Sequence, residues 1–75
     1  ENPAGEITID MVQDAIQILP NGYRMIVNLR LIEDMSFEQI ADTLHITSST
    51  ARSQFVRARK KLVTLIKEQL YESVD

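Results

Sequence analysis

Apolar positions along the chain repeat at three- and four-residue intervals, and the intervals break where helix-stopping residues stand. From Thr8, the residues Ile9, Val12, Ile16 and Leu19 follow this spacing, with Asp10 in the first turn where the helix dipole favours an acid. Pro20 ends this helix. A second helix is expected over residues 21–34, where Tyr23, Ile26, Val27, Leu29, Leu31 and Ile32 cover more than half the circumference. So apolar a helix belongs in the centre of a fold. Met25 and Met35 flank it and read as core, with an interface as the alternative. Ser36-Phe37-Glu38-Gln39 has the form of a capping box and opens a short third helix over residues 36–44, with Phe37, Ile40, Ala41 and Leu44 on one face. His45-Ile46 leaves room only for a tight turn, and His45 is expected there with positive φ, which His tolerates better than most residues. Thr47 caps a fourth helix that meets no Gly or Pro and is expected to run to about residue 72.

The expected fold class is all-α. It is a four-helix domain with a helix-turn-helix inside a winged-helix-like or homeodomain-like three-helix core, preceded by an N-terminal helix. The helices fall at about 8–19, 21–34, 36–44 and 47–72. Residues 1–7 are expected to be a disordered lead-in to one domain over 8–72. A chain of 75 residues allows no second domain. It opens on Glu1 without an initiator Met and is read as a fragment of a longer protein.

Charge changes the picture more than composition does. The net charge is −3, which by itself argues against nucleic acid. Yet residues 1–45 carry −6, residues 46–70 carry +5 and the last five carry −2. A polyanion responds to the field within a Debye length of about 8–10 Å, not to the total. On a helical wheel stepped at about 100° per residue, Ala51, Phe55, Ala58, Leu62 and Leu65 fall within about 40° of one line. Ser49, Arg52, Ser53, Val56, Arg57 and Lys60 lie on the opposite side. One face is core; the other is basic and hydroxylic.

A capped short helix, a tight turn and a longer helix that is basic near its start describe a helix-turn-helix. That motif lays its second helix in the major groove of DNA. The residue types suit groove binding. Arg pairs bidentately with guanine, Ser and Thr meet bases or phosphates, and an apolar side chain touches a thymine methyl. Free N–H groups at the starts of the third and fourth helices suit phosphate oxygens. Lys60 and Lys61 serve either as phosphate contacts or as a solubilising rim. Arg24 has three candidate partners: phosphate, a protein surface, or Glu33 and Asp34.

Other chemistry finds little support. There is no cysteine, hence no disulfide and no Cys-based zinc site, which fits a reducing compartment. His45 is the single histidine and reads as a turn residue, not a metal ligand or catalyst. The pairs Asp10/Asp14 and Glu38/Asp42 lie near helix starts, where the dipole accounts for them. No catalytic site, cofactor or metal is expected, and no apolar run is long enough for a membrane span or a signal-peptide core.

The stretch LPNGYRMIVNLRLIEDMSFEQIADTLHITSSTARSQFVRARKKL resembles region 4 of the sigma-70 family of bacterial RNA polymerase sigma factors, most closely the extracytoplasmic-function group. The matching positions are Leu19-Pro20, Tyr23-Arg24, Ser36-Phe37-Glu38-Gln39-Ile40-Ala41, Leu44, Ile46, Thr50, Arg52-Ser53, Arg57-Ala58-Arg59 and Leu62. The family pattern has Val where Ala51 stands, Gly where His45 and Ser49 stand, and Arg where Gln54 stands. The resemblance implies recognition of the promoter −35 element in double-stranded DNA, in the cytoplasm of a bacterium, during transcription initiation. It implies that Arg52, Ser53, Val56 and Arg57 face bases or nearby phosphates, and that Arg30, Ser49 and Thr50 contact phosphate or the groove edge. It further implies two protein partners, the β-subunit flap of RNA polymerase and an anti-sigma factor. Two other functions fit the same residues: a protein-interaction module, and the DNA-binding output domain of a response regulator.

Overall fold

In a computed structural model that describes residues 7–74, four α-helices form around the last of them. They are α1 (Ile9–Gln17), α2 (Asn21–Val27), α3 (Phe37–Leu44) and α4 (Ser48–Val74). Nearly all of the lead-in expected at residues 1–7 lies outside the described residues. No strand, and so no wing, occurs among the described residues. None of the helices is long and apolar enough to cross a membrane.

Each helix start has a local cause. The Thr8 hydroxyl accepts from the Met11 amide at 3.2 Å and caps α1. Pro20, whose φ is −54°, stands immediately before α2. Arg24 then ties α2 back to α1, donating to the Gln17 carbonyl at 3.0 Å and to the Asn21 side-chain oxygen.

The second helix departs from the expectation of one continuous α-helix to residue 34. After Val27 the chain continues as a π-helical turn, Asn28–Ile32. The Glu33 amide donates to the Asn28 carbonyl at 2.9 Å, an i→i−5 bond. Such a bond fits one more residue into the turn than an α-helix does, so the apolar phase slips. Leu31 and Ile32 consequently face solvent, 52% and 60% exposed, rather than the centre of the fold. Asp34 follows with φ of 58° and redirects the chain into α3.

α4 contacts α1, α2 and α3 and is the axis of the core. Ala15, Ile16 and Leu19 from the first helical segment, Ile26 and Val27 from α2, and Ile40 from α3 close on Ala51, Ala58, Leu62 and Ile66. Ala51 and Ala58 are completely buried, and their small side chains let the other helices approach α4 closely. The expected line on α4 therefore holds, with Phe55 and Leu65 half-buried along it and Ile66 extending it. Two expectations fail at the periphery. Ile9 is 75% exposed because it occupies the first turn of α1, and Met25 is 51% exposed because it lies on the side of α2 away from α4.

Candidate nucleic-acid interface

α3 and α4 build the site, and both begin at a hydrogen-bonded cap. The Ser36 hydroxyl accepts from the Gln39 amide at 3.1 Å, and Gln39 Oε1 accepts from the Ser36 amide at 2.8 Å. Both halves of the capping box are thus present. At the other end, His45 adopts φ 59° and ψ 45°, the left-handed conformation. The Ile46 amide then donates back to the Ala41 carbonyl at 3.0 Å, closing a Schellman-type stop. Three residues separate the two helices. The Thr47 hydroxyl accepts from the Thr50 amide at 3.0 Å and starts α4. It also lies 2.9 Å from the Thr50 hydroxyl, so Thr50 is part of the cap as well as of the surface.

From this start, α4 presents Ser49, Thr50, Arg52, Ser53, Val56, Arg57 and Lys60 to solvent. All seven are exposed while Ala51 and Ala58, between them in sequence, are fully buried. The polar face thus turns outward because the alanine line turns in. Val56 is 50% exposed, an apolar side chain amid cations and hydroxyls. Asp10, Asp14, Glu33, Asp34, Glu38 and Asp42 are exposed as well.

Arg30 has a different setting from the other seven candidates. It lies half-buried on the π-helical turn, where Nη1 donates to the Met35 carbonyl at 2.9 Å. Its guanidinium carbon sits 4.6 Å from the centre of the Phe37 ring, and that of Arg52 sits 5.5 Å from the same ring. Phe37 in turn meets Phe55 edge-on at 5.7 Å, which anchors the ring to α4. Arg52 Nη2 stands 3.8 Å from Glu38 Oε2. Phe37 and Glu38 therefore frame a candidate DNA-contacting arginine. Sequence reasoning placed Phe37 in the core and gave Glu38 only a dipole role, because neither is near Arg52 in the chain.

Comparison with known proteins gives one result on this ground. The family model described as Sigma-70, region 4 matches residues 9–62, well over half of the chain. Searches of curated proteins and of solved structures gave no match. The match takes in α1, α2, α3, both caps and the half of α4 that carries the basic face. With the helix-turn-helix in place and its basic face exposed, the chain belongs to the sigma-70 region 4 family, DNA-binding domains of transcription initiation.

Proposed function

We propose that this domain recognises the promoter −35 element as region 4 of an extracytoplasmic-function sigma factor and so directs RNA polymerase to its promoters. One observation carries the reading: the N-terminal half of α4 exposes Arg52, Ser53, Val56 and Arg57 together, on a helix held by a capped turn and an alanine seam. Those four side chains read base edges or adjacent phosphates. Ser49, Thr50 and Lys60 take phosphates along the rim, as does Arg30 with the N–H groups that Met35 leaves free. Base contacts carry the sequence information, and phosphate contacts set register.

Protein partners belong to the same proposal. Met25, Leu29 and Met35, edged by Asn21, Arg24 and Glu33, line an open groove of about 530 Å³. Such a groove suits the β-subunit flap of RNA polymerase. An anti-sigma factor would compete for the domain's exposed faces.

Selection from a randomised duplex library at low salt tests the reading. Enrichment of a short non-palindromic motif supports a monomeric −35 reader. A palindrome points to a dimeric regulator, and no enrichment points to a protein-interaction module. On the selected site, Arg52→Ala and Arg57→Ala each lose discrimination worth about 1–3 kcal/mol if the contact is bidentate. With about four to six phosphate contacts, the log–log dependence of affinity on salt has a slope of about −4 to −5.

A further inference from the structure

We propose that Glu38 and Phe37 of α3 position Arg52 for base readout, making Glu38 a specificity determinant although it is an acid on the DNA-facing side. This inference rests on the −35 reading above. Its geometric basis is the cluster at the crossing of α3 and α4. The Phe37 ring, pinned edge-on by Phe55, carries the Arg30 and Arg52 guanidiniums over it. Glu38 adds a carboxylate to this cluster, 3.8 Å from Arg52. A ring face and a carboxylate both attract a guanidinium, so together they restrict where the long Arg52 side chain rests before DNA arrives.

The charge of Glu38 does the discriminating. Phosphate is an anion and base edges are neutral. A carboxylate beside Arg52 repels a phosphate that approaches this guanidinium and leaves a guanine edge with its two acceptors unopposed. An arginine without that neighbour takes phosphate on any sequence, and that contact carries no sequence information. Both partners are well exposed, 59% for Arg52 and 72% for Glu38, so the pair is weak enough to yield to DNA. Glu38 is not needed for the α3 cap, which Ser36 and Gln39 make between themselves.

The test compares the parent chain with Glu38→Gln on two duplexes: the site selected by the parent, and a scrambled duplex of equal length. Binding is measured at fixed salt by fluorescence anisotropy. The variant binds the scrambled duplex more tightly, and the ratio of the two affinities falls roughly two- to fivefold, the range of an exposed charge pair. The same substitution in an Arg52→Ala background leaves the ratio unchanged, because the effect acts through Arg52. Equal gains on both duplexes, or an equal loss of ratio in the Arg52→Ala background, overturn the inference and leave the −35 reading standing. A parent that binds both duplexes alike overturns the −35 reading, and this inference with it.

Discussion

His45→Gly is the sharpest test of how the turn between α3 and α4 is held. At φ 59° and ψ 45°, His45 sits in the centre of the left-handed region. An L-residue pays roughly 1–2 kcal/mol there, because Cβ crowds the following carbonyl. His lies at the favourable end of that range and Ala does not. Glycine has no such strain but gives up about 0.4–1 kcal/mol through the entropy of the unfolded chain. His45 is exposed, so its replacement removes little packing. Taking the differences, Gly is more stable than Ala at this position by about 1 kcal/mol, with His between them. In a domain of this size that is a gap of roughly 4–8 °C in Tm. His45→Val, β-branched, falls lowest of all. Thermal unfolding followed by circular dichroism at 222 nm measures the order. If Ala matches or exceeds Gly, the turn is not strained in solution and the left-handed stop does not set where α4 begins.

Two further changes probe the platform beneath the basic face. Ile40 is completely buried in the core, so Ile40→Val costs about 0.5–1.5 kcal/mol, read by urea titration, and Ile40→Ala about 2–5; in a domain this small the Ala variant leaves little or no folded chain, read as lost helical circular dichroism at 222 nm. Ser36→Ala removes the hydroxyl half of the capping box and costs about 1 kcal/mol. Amide exchange across Phe37–Leu44 should quicken in that variant, and unchanged exchange there refutes the role of the cap.

The parts of the fold legible in the sequence are those whose causes lie within a few residues. Ser36 with Gln39, Thr47 with Thr50, and His45 at its turn each involve dihedrals or hydrogen bonds between residues no more than five positions apart. The line Ala51, Ala58, Leu62 was legible for a related reason: one uninterrupted helix has one period, so the buried side follows from spacing alone. The basic face followed as its complement. The apolar content of residues 23–32 misled because spacing presumes an α-helical period, and the π-helical turn changes that period at Asn28.

The sequence by itself determined that the described residues are helical with no strand, where the four helices start, and which side of α4 is charged. These depend on neighbours in the chain, and the chain order is the sequence. Only the tertiary structure decided that Leu31 and Ile32 face outward, that Met25 edges an open groove, and that Arg30 leans on Phe37 beside Arg52. It alone set Glu38 against Arg52, fourteen positions away in the chain. Such contacts depend on the angle and depth at which α3 crosses α4, and that crossing is settled by the volumes of Ile40, Ala51, Phe55 and Ala58 packing together.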